Sequence, residues 1–168
     1  MDNFVPPEGS LDAKIMLIGE CPGIEEVYQK RPFVGRCGKL LDKILKDAGI
    51  KRESCYITNV VKQVCRTGNK NRPPTEEEIV EWGEGLRNEI TSSKCRVIVT
   101  LGKTPTRFLL GCKKTFNLGE LVGKIYRREI TDAHIIPSYH PSWLLQYGKQ
   151  EIIETTSLFK KIGKTYGK

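Results

Sequence analysis

Four short apolar runs, separated by segments of helical periodicity, limit the architectures open to this chain. Residues 14–19 (KIMLIG) form an apolar run that ends at glycine. Residues 55–61 (CYITNVV) are rich in β-branched side chains. Residues 96–101 (RVIVTL) are closed by Gly102, and residues 134–137 (HIIP) form the shortest run. Runs this apolar read as strands buried on both faces. Residues 37–48 place Leu40, Leu41, Ile44, Leu45 and Ala48 at helical spacing, with Gly49 as the stop. Thr75 and Glu78 make a capping-box pattern that opens a helix running to about Ile90. Residues 103–110 read as a short helix ended by Gly111, 121–130 as an irregular strand or hairpin, and 150–165 as a final helix. Strands alternating with helices require right-handed crossovers and a parallel sheet covered on both faces, which is the α/β class. Ligands in such folds bind beyond the carboxyl ends of the strands. The residues after each strand therefore matter most.

The 168 residues fit one domain with a buried core. No apolar run reaches the roughly 18–20 residues that cross a bilayer. The N-terminus lacks the basic and apolar regions of a secretory signal, so a cytoplasmic address and no membrane partner are expected. The net charge is +8 and is unevenly spread. Residues 1–28 hold six acids and one base, net −5, which leaves +13 on the rest. Segment 62–72 carries four bases and no acid, and segment 94–128 carries nine bases and one acid. That asymmetry suits a polyanionic partner, because neutralised phosphates release counterions; a soluble lysine-rich surface is the plainer reading. The six cysteines form no C-x-x-C pair and read as free thiols, with no metal site.

Several chemical signatures fail. Residues 35–39 (GRCGK) lack the spacing of a phosphate loop, and residues 19–23 (GECPG) are not G-x-G-x-x-G. Zinc-deaminase ligands are missing, and two histidines leave little room for His-rich metal sites. Four features at strand ends remain: Glu20 within GECPG, Phe33 in the tight loop RPFVGR, Asn59 inside the apolar run ITNVV, and His140 in SYHPS. Each has a plain structural alternative. Glu20 could cap a turn, Phe33 could be core, and Asn59 could be a satisfied core amide. Trp143, Leu144 and Leu145 could be a wedge for duplex DNA or the first buried turn of a helix. His134 reads as structural.

Taken together, GECPG, RPFVGR, YITNVVK, PPTEEEI, VIVTLGK and HPSWLL, in this order over residues 14–148, resemble the uracil-DNA glycosylase superfamily, most closely its family 4 branch. The resemblance implies a three-layer α/β/α sandwich with a four-stranded, mostly parallel sheet. It implies an enzyme that flips uracil out of DNA and hydrolyses the N-glycosidic bond, leaving an abasic site. Carried over, Phe33 stacks on the flipped base and Asn59 hydrogen-bonds its edge. His140 faces the departing base, and Glu20 positions water or stabilises the cationic sugar. Backbone N–H groups of the 19–23 turn, at Gly19, Cys21 and Gly23, hold the uracil carbonyl. Lys62, Arg66, Lys70 and Arg72 form a mobile basic loop for phosphates, and Ser142, Trp143 and Leu144 face the DNA. The expected partner is uracil-containing DNA, bound by a monomer.

One departure from family 4 stands out. Its members usually hold an iron–sulfur cluster on four cysteines. Here residues 1–20 contain none, Cys65 is displaced from the third position, and Trp82 occupies the fourth. The expectation is therefore no cluster and no cofactor, with Trp82 filling part of the space. Two other readings stay open: a DNA-binding module of the same fold with little or no turnover, and a glycosylase for another deaminated base.

Overall fold

The computed structural model describes residues 2–168. The apolar runs form a central sheet: β1 (Ile15–Gly19), β2 (Cys55–Asn59), β5 (Val97–Leu101) and β7 (Thr131–Ser138). These four strands are parallel, in the order β2-β1-β5-β7. A fifth strand, β6 (Tyr126–Arg128), pairs antiparallel with β7 at the edge. The sheet thus has five strands rather than four. The extra strand comes from the 121–130 segment, where Tyr126 registers with Ile135 and Arg128 with Thr131. It is short and partly exposed, so it leaves only a weak signal in the sequence.

Side chains on β1, β2 and β5 alternate between two faces, and both faces are buried. One face presents Ile15, Leu17, Ile57, Val97 and Val99 to Leu41, Ile44 and Leu45 of α2 (Arg36–Asp47). Leu144 of α5 (Pro141–Tyr147) and Phe159 and Ile162 of α6 (Lys149–Tyr166) complete that layer. The other face presents Met16, Ile18, Tyr56, Ile98 and Ile135 to α3 (Glu76–Ser92), through Leu86 and Ile90, and to α4 (Lys103–Leu110), through Leu109 and Leu110. The result is the expected α/β/α sandwich. Short helix α1 (Ile24–Gln29) follows the 19–23 turn and is too brief to show periodicity. The C-terminal helix expected over 150–165 is α6, and α5 precedes it as a separate helix that ends at Gly148.

Segment 62–74 is not an open loop. Strands β3 (Arg66–Thr67) and β4 (Lys70–Asn71) close a small antiparallel hairpin. Its return is anchored by Arg72, whose guanidinium donates to both Glu78 oxygens at 2.7 and 2.8 Å. Glu78 also accepts from the Thr75 N–H at 2.8 Å, while the Thr75 hydroxyl accepts from the Glu78 N–H at 3.2 Å. The capping box read from the sequence is therefore also the anchor of the hairpin. Among the described residues no helix is long and apolar enough to cross a membrane.

The Arg72 hydrogen bond holds the Glu78 carboxyl down to about 2, from an ordinary 4.5. A depressed carboxyl stabilises the fold above its unfolded value, and that contribution is lost as pH falls through the folded value. Glu78→Gln is expected to flatten the decline in thermal stability between pH 4.5 and 2, measured by melting scans across that window; an acid limb as steep as that of the wild type would contradict this role.

Candidate active site

The carboxyl ends of β1, β2 and β7 deliver Glu20, Asn59 and His140 to one side of the sheet. Together with Phe33 they line a single cavity of about 730 Å³.

Asn59 ends β2, opposite Gly19 of β1. It is buried, and its Oδ1 has no hydrogen-bond partner. A buried acceptor left without a donor costs about 1–3 kcal/mol, so the reading as a satisfied core amide fails. Gly19 makes the approach possible: a Cβ there would lie 2.4 Å from Asn59 Oδ1 and 2.4 Å from Phe33 Cζ. Gly19 serves through its missing side chain.

Phe33 is buried at φ +50°, a left-handed conformation that is rare for a bulky residue. Two polar groups brace it. Glu26 accepts from the N–H groups of Gly23, Val34 and Gly35 at 3.1, 3.0 and 2.7 Å. Arg52 donates to the carbonyls of Pro32 and Phe33 at 2.5 and 2.8 Å. The Gly23 N–H is thus already engaged and is not free for a uracil carbonyl. The Phe33 ring lies 5.9 Å from the His140 ring, tilted by 38°.

His140 caps the N-terminus of α5. Its Nδ1 accepts from the Ser142 N–H at 3.1 Å and sits 2.8 Å from the Ser142 hydroxyl. An Nδ1 that accepts from a backbone N–H leaves the ring proton of the neutral imidazole on Nε2. Although the side chain keeps some solvent contact, its protein surroundings push the imidazole down to about 4. At neutral pH it is an uncharged donor through Nε2–H. Glu20 is half-buried, and burial raises its carboxyl above the usual range. Opposing that, the Thr104 hydroxyl donates to Glu20 Oε2 at 2.5 Å. Thr104 is a contact that sequence reasoning missed, because its partner lies far away in the chain.

The expected DNA-facing residues divide. Lys70 is exposed on the hairpin, and Arg72 lines the cavity while gripping Glu78. Arg66 donates to the Asn69 carbonyl at 2.7 Å inside the hairpin. Lys62 is not a phosphate contact: it is buried, donating to Asn59 O at 2.6 Å and paired with Glu89 at 2.8 Å. Ser142 is exposed at the cavity rim. Leu144 is fully buried, and Trp143 is stacked between Tyr139 at 4.1 Å and Tyr147 at 4.5 Å. For Leu144 and Trp143 the structure contains a buried helical turn rather than a free wedge, because this face of α5 packs into the cluster it shares with α2 and α6; Leu145 is half-buried outside that cluster.

Cys21 and Cys65 line the same cavity; the proximity of the two thiols, with burial, pushes Cys21 up, while the same neighbour holds Cys65 down, and Cys65 Sγ donates to the Gln63 carbonyl at 3.6 Å. All six cysteines are free. Among the described residues, no three His, Cys, Asp or Glu side chains converge as a metal set. Trp82 packs against the buried cluster that contains Cys65 and stacks on Phe4, with ring centres 6.0 Å apart and planes at 19°. Indole and phenyl rings offer no thiolate, so the residues present here do not fit a four-cysteine cluster.

Comparison with known proteins agrees with this arrangement. The chain is 39% identical over 170 residues to the type-4 uracil-DNA glycosylase of Archaeoglobus fulgidus, covering 99% of this chain and 83% of the relative. It is 42% identical over 153 residues to the type-4 uracil-DNA glycosylase of Thermotoga maritima, covering 89% and 76%. The solution NMR structure of a uracil DNA glycosylase candidate from Methanosarcina acetivorans superposes with a TM-score of 0.57 over 95% of this chain and 97% of that one. At 14% identity that likeness speaks to the fold alone. The model of the uracil DNA glycosylase superfamily matches residues 6–163, and the chain belongs to that superfamily.

Proposed function

We infer that this chain is a monofunctional uracil-DNA glycosylase that leaves an abasic site, acting as a monomer in the compartment that holds the DNA. The observation that carries this reading is the unpartnered, buried Oδ1 of Asn59 in a cavity that also holds Phe33, His140 and Glu20. An amide offers one acceptor and two donors, which match uracil N3–H and O4. Cytosine carries an acceptor at N3 and a donor at C4, so it meets the same amide with like groups opposed. A base stacked on an aromatic ring gains about 1–3 kcal/mol, which offsets the few kcal/mol needed to extrude it. Phe33 supplies that surface.

Scission of the C1′–N1 bond leaves the bonding pair on uracil and positive character on the sugar. The neutral His140, donating from Nε2, stabilises the charge that develops on the uracil oxygen. The Glu20 carboxylate stands against the sugar cation and accepts a proton from the water that adds to C1′. Burial keeps Glu20 basic enough for that transfer. Lys70, exposed on the hairpin, and Arg72, on the cavity wall, support a reading in which this segment meets the DNA backbone.

The test uses uracil-containing oligonucleotides followed by alkaline cleavage, with hypoxanthine substrates in parallel. Excision of uracil is expected; binding without product would overturn the enzymatic reading, and excision of hypoxanthine alone would overturn the base assignment. Asn59→Ala and His140→Ala are each expected to lower single-turnover rates by about tenfold to a hundredfold, from the loss of one preorganised donor or pair. Wild-type rates in both would remove the site. The rate is also expected to show no inflection near pH 6.5 that depends on His140, because His140 is already neutral there; an inflection there abolished by His140→Gln would contradict the neutral state derived above. Charge reversal at Lys70 is expected to weaken DNA binding and reduce its salt slope, measured by fluorescence anisotropy.

A further inference from the structure

We propose that the turn leaving β5, residues 102–104, is the positioning element of this active site, with Thr104 the positioning residue for the Glu20 carboxylate. The proposal rests on the glycosylase reading for its consequence, although the contact itself does not.

Topology puts the turn there. Strand β5 lies between β1 and β7, so the chain leaving it emerges between Glu20, which follows β1, and His140, which follows β7. The turn touches both. On one side, the Thr104 hydroxyl donates to Glu20 Oε2 at 2.5 Å across 84 residues of sequence. Among the described residues Glu20 Oε1 has no side-chain or backbone donor, which leaves that oxygen for the reacting water. On the other side, Gly102 lies directly beneath His140. A Cβ at Gly102 would meet His140 Cβ at 3.0 Å, and its φ of +98° is one that side chains rarely adopt. The Gly102 N–H donates to the Ser138 carbonyl at 2.9 Å, tying the turn to the end of β7.

The turn is pinned from beneath. The buried Thr106 hydroxyl donates to the Gly102 carbonyl at 2.8 Å. Having given its one proton there, it accepts from the Thr100 hydroxyl at 2.8 Å. Thr100 and Thr106 are both fully buried, so this relay is held rigidly by the core. Rigid support of this kind is what a catalytic carboxylate needs, since small misplacements cost large factors in rate. The hydroxyl also stabilises the ionised form of Glu20 against the burial that disfavours it.

The sign of the effect follows. Removal of the donor raises the Glu20 carboxyl further, so the acid limb of the pH–rate profile moves to higher pH. Thr104→Val keeps the shape and removes the donor; Thr104→Ser keeps the donor; Thr104→Ala serves if valine disturbs the fold. Two measurements are made on each. The Glu20 carboxyl is titrated by carbon NMR in the free protein, and the pH dependence of single-turnover excision is measured on a uracil oligonucleotide. In the valine and alanine variants, an upward shift in the titration is expected, with the acid limb following it, KM nearly unchanged and the rate lowered about tenfold. Serine is expected to restore both. A Glu20 titration unmoved by valine or alanine, or a serine variant as impaired as valine, would overturn the proposal. A wild type that excises no uracil while its Glu20 titration still responds to Thr104 would overturn the glycosylase reading and leave the positioning contact standing.

Discussion

The buried carboxylate of Glu26 holds this site together. Its two oxygens gather the N–H groups of Gly23, Val34 and Gly35, and so fasten the turn after β1 to the loop that carries Phe33. Arg52 grips the same loop from outside through the carbonyls of Pro32 and Phe33. It is itself held by Glu8 at 2.9 Å and Asp42 at 2.8 Å. A bulky residue in the left-handed region costs on the order of 1–3 kcal/mol. The Phe33 conformation persists because both flanks of its loop are bonded to charged groups. Without that brace the aromatic surface would relax away from Gly19 and Asn59, and the cavity would lose one wall.

The cavity combines two kinds of preorganisation. The base side is set by strand geometry: Gly19 and Asn59 are register partners, so backbone pairing fixes their spacing. The reacting groups are set by hydrogen bonds, with the Ser142 N–H fixing the tautomer of His140 on the base side and Thr104 holding Glu20 on the sugar side. Support for the neighbouring hairpin comes from the Arg72–Glu78 fork, and the Phe4–Trp82 stack fastens the N-terminal segment to α3. That segment also reaches the chain leaving β2, where the Val5 N–H donates to Lys62 O at 2.7 Å.

Much of the fold was legible because its signals are local. The runs that became β1, β2 and β5 are apolar on both faces, and the Thr75–Glu78 cap announces α3. Asn59 stood out as the one amide in an apolar strand, and His140 as a histidine just past a strand end. What stayed hidden depends on distant partners. A count of basic residues placed Lys62 with the phosphate contacts, but Glu89, on the helix packed beside it, neutralises it in the core. Trp143, Leu144 and Leu145 read equally as a wedge or a buried turn because sequence cannot show which face of α5 meets α2 and α6. The strands of the β3–β4 hairpin are two residues long, below the length at which periodicity carries information, and β6 was legible only as an irregular strand or hairpin within 121–130, not as a fifth member of the sheet. Thr104 carries no local signal, since its importance lies in the carboxylate it meets.

The central claim is that one base occupies the space between Phe33, Asn59 and His140. A crystal structure with DNA containing a uracil nucleotide whose glycosidic bond resists hydrolysis tests it most directly. The account predicts the extruded uracil parallel to the Phe33 ring, with N3 on Asn59 Oδ1 and an oxygen facing His140 Nε2. Uracil left in the helical stack, or seated in the separate groove lined by Arg87, Arg127 and Arg128, would contradict it.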